Sequence, residues 1–197
     1  MTSKTVHLAV YDTLADWETG HTTAWLARDG FTVRTVGAVA GKPVTTIAGI
    51  RIVPDLGLDE LRPEDSALLI LPGAEAYDAG DELAPFTAAA RAFLDAGVPV
   101  AAICGAVAGL AREGLLDTRA HTGAASFYLA ATGYAGAERY VEADAVTDGD
   151  LVTAGPTEPV AFAREVFARL GAYEGKRDAW FRLFHDSDPA AFAELNG

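Results

Sequence analysis

Apolar, β-branched runs recur along the chain at Val6–Tyr11, Phe31–Val36, Ala67–Leu71 and Val98–Ile103, each short and bounded by Gly, Pro or Asp. Runs that are apolar at nearly every position predict strands buried on both faces, as in a parallel sheet. Between them lie helical stretches. Asp16–Arg28 mixes Trp17, Ala24, Trp25 and Leu26 with polar residues and stops at Asp29-Gly30, and a second helix is predicted over about Leu83–Ala96, ended by Gly97. Hairpins are predicted for Val44–Ile47 with Ile50–Val53 around Ala48-Gly49, and for Val141–Val146 with Leu151–Thr153 around Asp148-Gly149-Asp150. After Gly155-Pro156, Glu158–Leu170 carries the 3.6-residue spacing of a packed helix, and Lys176–Phe184 adds Trp180, Phe181, Leu183 and Phe184. Strands alternating with helices predict an α/β fold: a single three-layer, doubly wound (flavodoxin-like), mostly parallel sheet with helices on both faces. Residues 1–171 are expected to form this domain and 172–197 a C-terminal helical extension, packed on it or on a partner subunit. Function should gather at the carboxyl ends of the strands.

Charge narrows the partners. The 15 basic and 28 acidic side chains give a formal charge of −13, which opposes binding to nucleic acid or to anionic membrane surfaces. The apolar runs are far shorter than the ~20 residues of a spanning helix. The start MTSKTVHLAVY shows no secretory signal pattern. One cysteine excludes an internal disulfide framework and fits a reducing compartment, so a cytoplasmic protein is expected.

That cysteine stands in Val98-Pro-Val-Ala-Ala-Ile-Cys104-Gly-Ala-Val-Ala-Gly-Leu-Ala-Arg112, which passes from a strand through small residues into a helix, the arrangement of a nucleophile elbow. Small neighbours Gly105 and Ala106 let the chain bend tightly, and the helix N-terminus beyond favours a thiolate. The expectation is a thiol pKa well below the free value of about 8.5. Against this stands the plain alternative, a free cysteine that is only a small buried hydrophobe.

AICGA at 102–106, LPGA at 71–74 and DWE at 16–18, in this order and on these elements, together resemble the ThiJ/PfpI family. That family lies within the class I glutamine-amidotransferase-like superfamily, and the resemblance runs from about residue 5 to 171. It implies that Glu18, on the first helix, hydrogen-bonds the nucleophilic sulfur. A partly buried carboxylic acid there stays protonated near neutral pH and can deliver a proton. It implies a backbone oxyanion site at Gly73, Ala74 and Gly105, with Ala74 N–H and Gly105 N–H as donors. It also implies that His121 lies close to the cysteine and shuttles a proton or stabilises thiolate.

No phosphate-binding glycine loop occurs, and no nucleotide cofactor is expected. Glu18 and His21 make an E-x-x-H pair without a second copy, and the four histidines at 7, 21, 121 and 185 show no further paired spacing, so neither a metal nor any other cofactor is expected. Three functions remain. The first is a cofactor-independent enzyme, hydrolase-like or lyase-like and expected to be a homodimer, in which Cys104 attacks a small 2-oxoaldehyde, isocyanide, acyl or amide carbon. The second is a redox sensor or protective protein acting through oxidation of Cys104. The third is a glutamine amidotransferase subunit, disfavoured because the late region Thr153-Ala-Gly-Pro-Thr-Glu158-Pro carries a glutamate and no histidine. Proteolysis is not expected from so small a site.

Overall fold

The computed structural model describes residues 4–197. In chain order the elements are β1 (Thr5–Ala9), α1 (Gly20–Arg28), β2 (Thr32–Gly37), β3 (Val44–Thr45), β4 (Arg51–Ile52), β5 (Leu56–Gly57), β6 (Leu68–Leu71), α2 (Ala76–Ala79), α3 (Ala84–Asp95), β7 (Val100–Ile103), α4 (Gly105–Arg112), α5 (Ser126–Ala130), β8 (Ala145–Asp148), β9 (Leu151–Ala154), α6 (Pro159–Leu170), α7 (Arg177–His185) and α8 (Ala191–Asn196). Seven strands form one sheet in the order β5-β2-β1-β6-β7-β9-β8. All its pairings are parallel except that of β8 with β9. This is the α/β architecture that the run of buried strands predicts.

Strand periodicity sorts the central side chains into two layers. On β6 and β7, Leu69, Leu71, Val100 and Ala102 join one core with Phe86, Phe93, Leu110 and Leu116 from the side of α3 and α4. Leu68, Ile70, Ala101 and Ile103 join the other with Leu26, Phe162, Val166, Phe167 and Trp180 from the side of α1, α6 and α7. Trp180 is fully buried, and its ring meets Phe167 at 4.9 Å and Phe184 at 5.2 Å between centroids. The segment after residue 171 therefore completes this helix layer.

Three elements differ from the sequence reading, one of them the second hairpin, whose first strand runs Ala145–Asp148 rather than Val141–Val146 and includes Asp148. Helix α1 begins at Gly20 rather than Asp16, because Ala15 N–H bonds the Gly73 carbonyl (2.9 Å) and Glu18 N–H bonds Ala15 O (3.3 Å), making a turn of residues 15–19. Asp16 is drawn out of any helical role by accepting from Ala48 N–H at 2.9 Å. The first hairpin shrinks to the pairs Val44–Ile52 and Thr45–Arg51 and stays apart from the main sheet. Among the described residues, no helix is long and apolar enough to cross a membrane.

Candidate active site

The order of strands reverses between β1 and β6: the chain moves from β1 outward to β2 and returns on the other side at β6. Clefts at the carboxyl ends of such a switch point are where doubly wound sheets bind ligands. Glu18 follows β1, Gly73 and Ala74 follow β6, and Cys104 follows β7, so three neighbouring strand ends converge.

Cys104 has φ 60° and ψ −127°, a backbone region that side chains with a Cβ rarely adopt. Its N–H still continues the ladder to Ala154 O (3.0 Å), while its carbonyl already accepts from Val107 N–H (3.1 Å) in the first turn of α4. The residue is thus held from both sides, strand and helix, and the strain of order 1–3 kcal/mol is sustained by that fixation. The thiol is half-buried.

Glu18 lies in the turn before α1 and is fully buried. Its Oε2 accepts the Gly73 N–H at 2.5 Å. Oε1, also buried, has no hydrogen-bond partner, and both it and Cys104 Sγ lie within 3.0 Å of where a Cβ on Gly73 would stand. Burial pushes the carboxyl up to about 7, against the downward pull of the Gly73 N–H and the thiol. Burial, then the nearby Glu18 carboxylate, pushes the Cys104 thiol up to about 12, while the Gly105 N–H draws it down. This corrects the expectation of a depressed thiol pKa, because the helix terminus is outweighed by desolvation and by a negative neighbour. The two groups share protons: the pair loses its first near 7 and its second near 12, and in between it holds one proton and one negative charge.

Gly73 has no room for a side chain. A Cβ there would lie 2.7 Å from Cys104 Cβ, 2.9 Å from Glu18 Oε1 and 3.0 Å from Cys104 Sγ. We expect Gly73→Ala to cost about 1–3 kcal/mol, as overpacked sites do, and to alter thiol reactivity. Urea unfolding and iodoacetamide alkylation rates measure both, and no change in either would mean that the three groups are not packed as described. The Gly73 N–H is spent on Glu18, which removes it from the oxyanion donors and leaves the amides of Ala74 and Gly105 as candidates.

His121 is not brought to the thiol. Its Nδ1 lies 2.8 Å from the Arg119 carbonyl and its Nε2 2.9 Å from Tyr134 Oη. A carbonyl only accepts, so Nδ1 bears the proton and Tyr134 donates to Nε2. Burial lowers the imidazole pKa and keeps it neutral. The proposed shuttle gives way to a buried link between residues 119 and 134. His21 also leaves Glu18 alone, packing edge-on against Phe184 at 5.1 Å between centroids.

Sequence reasoning missed the rest of the surroundings. The Tyr11 hydroxyl donates to the Pro72 carbonyl and lies 3.2 Å from Tyr77 Oη, which anchors the turn carrying Gly73. Tyr128 donates to Asp78 at 2.6 Å; the Asp78 charge pushes the thiol pKa up, and the Cys104 charge pushes that of Tyr128 up. Nothing in the local sequence marks these residues. A cleft of about 310 Å³ walled by Tyr77, Leu83, Thr87 and Arg112 does not include Cys104 in its lining.

Fold and site together define an α/β protein with a strained cysteine elbow faced by a buried carboxyl group. The DJ-1/PfpI family profile matches residues 4–169, and the chain belongs to that family. It is 34% identical to a Bacillus subtilis (strain 168) protein named Uncharacterized protease YoaZ, over 99% of this chain and 97% of that one. Among solved structures it resembles a ThiJ/PfpI family protein from Bacillus anthracis, with a TM-score of 0.93, 35% identity and coverage of 100% and 97% of the two chains. A DJ-1 superfamily protein from Agrobacterium tumefaciens matches with a TM-score of 0.86, 32% identity and coverage of 95% and 99%.

Proposed function

We propose that the protein is a cofactor-independent enzyme in which Cys104 attacks a small electrophilic carbon and Glu18 moves the proton. The observation that carries this reading is the buried Glu18 carboxyl, bound through Oε2 to Gly73 N–H, with Oε1 and the Cys104 sulfur both closing on the same side of Gly73. A carboxyl with a pKa near 7 suits general acid–base work at neutral pH.

With a 2-oxoaldehyde, the Glu18 carboxylate takes the Cys104 thiol proton as a sulfur lone pair forms the C–S bond to the aldehyde carbon. The carbonyl π pair moves to oxygen, beside the amides of Ala74 and Gly105, and that oxygen takes the Glu18 proton. The product is a thiohemiacetal and a Glu18 carboxylate, which is then placed to accept a proton in the next step. Isocyanides and activated acyl carbons meet the same pair of groups.

The test is a turnover screen of the wild-type protein in metal-free buffer against methylglyoxal, an aryl isocyanide, an activated ester, glutamine and a denatured polypeptide. Turnover of one of the first three, with a substrate-sized mass gained at Cys104 on trapping, is the expected result. Cleavage of the polypeptide would instead align the chain with the activity in the Bacillus subtilis relative's name. Failure of every substrate, together with clean gain of two oxygens at Cys104 under mild peroxide, would replace the enzyme by a redox protein.

A further inference from the structure

Asp144 precedes β8, Glu158 precedes α6, and His185 ends α7, and the fold brings one ligand-type atom of each within 4.8 Å of the others. His185 Nε2 stands 3.9 Å from Asp144 Oδ2. On the other side of the ring, Nδ1 lies 2.6 Å from Asp186 Oδ1. An ionised carboxylate only accepts, so Asp186 holds a proton on Nδ1, and Nε2 is the ring nitrogen that faces Asp144. A carboxylate behind a histidine in this manner is the usual outer partner of a metal-binding imidazole. Phe181 stacks on the ring with centroids 4.4 Å apart and planes 17° from parallel, which further fixes its direction. Thr157 Oγ1 donates to Glu158 Oε1 at 2.9 Å and leaves Oε2 available.

The neighbouring cleft, about 430 Å³, is lined by Glu142, Asp144 and Glu158 and, among the described residues, by no Lys or Arg. Negative charge is therefore gathered in the cleft wall, two of whose carboxylates stand beside the imidazole, without a protein cation in that wall to offset it. We infer that Asp144, Glu158 and His185 bind a divalent transition metal ion of the zinc type. One imidazole and two carboxylates suit zinc, with water or a cleft ligand in the fourth position, whereas calcium and magnesium call for more oxygen ligands. Tetrahedral ligands at zinc distances lie about 3.3 Å apart, so the trio, within 4.8 Å of one another, has to close by up to about 1.5 Å, within the reach of partly exposed side chains. The ion would tie the end of α7 to the start of α6 and to the approach to β8.

The test uses full-length Cys104→Ala protein, so that the thiol cannot compete, titrated with zinc chloride by calorimetry. The expected result is one saturable site per chain, and a melting temperature raised by about 5–10 °C at a hundredfold excess over Kd. His185→Ala should weaken binding by more than tenfold. Asp186→Asn, which leaves the ligands in place, should weaken it by about tenfold. Circular dichroism confirms that each variant is folded. Absence of saturable binding, equal affinity in the His185→Ala protein, or equal affinity for calcium would each overturn the inference.

Discussion

Cys104→Ala is expected to abolish turnover of any substrate the wild-type protein accepts, by about 10⁴-fold or more, since loss of a covalent nucleophile has effects of that order. The fold should survive. Alanine keeps the Cβ, so the strained φ of 60° persists and stability should stay close to that of wild type. Cys104→Gly makes a sharper control: it releases the strain, offset in part by glycine's greater chain entropy, and should raise stability by about 1 kcal/mol while remaining inactive. Steady-state rates and urea midpoints of the two variants separate chemistry from folding. Full turnover in either would show that the sulfur is not the nucleophile.

Glu18 should leave its mark on stability as a function of pH. Its folded pKa of about 7 lies above the ordinary value of 4.5, so between those values the folded state holds a proton that the unfolded state has lost. Stability is then complete below about 4.5 and falls as pH rises through about 7. The full loss is about 3 kcal/mol, at 1.36 kcal/mol per pKa unit. Glu18→Gln keeps an acceptor for the Gly73 N–H and removes the titration, so its unfolding free energy should lack this decline. The same substitution should erase a step near pH 7 in the rate of thiol alkylation, since that step reflects the first proton leaving the pair. In Cys104→Ala the Glu18 titration should move further up, because the nearby thiol is one of the groups holding it down. A wild-type stability curve without the decline would mean that Glu18 is not a buried shared acid.

The strands were legible because a strand buried on both faces writes its environment as an uninterrupted apolar run, as Leu68–Leu71 and Val100–Ile103 do. The elbow was legible because strand, small residues and helix are contiguous in sequence. Local spacing puts Glu18 on a helix because it cannot register that the residue's partner is Gly73, or that neighbouring Asp16 is held by Ala48. The raised thiol pKa was hidden for a related reason: the helix terminus is local, whereas desolvation and Glu18 are tertiary. Family resemblance points His121 toward the cysteine, whereas its two ring nitrogens answer to Arg119 and Tyr134.

Trp180, enclosed by Trp25 from the first helix and Phe167 from the sixth, has a temporal consequence. Synthesis proceeds from the N-terminus, and domains begin to fold as they emerge. The sheet, the elbow and its carboxyl partner can therefore assemble while the residue that closes one helix layer is still inside the ribosome. Until residues 177–185 have emerged, the apolar side chains of α1 and α6 that Trp180 covers stay open, and the nascent chain offers chaperones a binding surface that the folded domain no longer has.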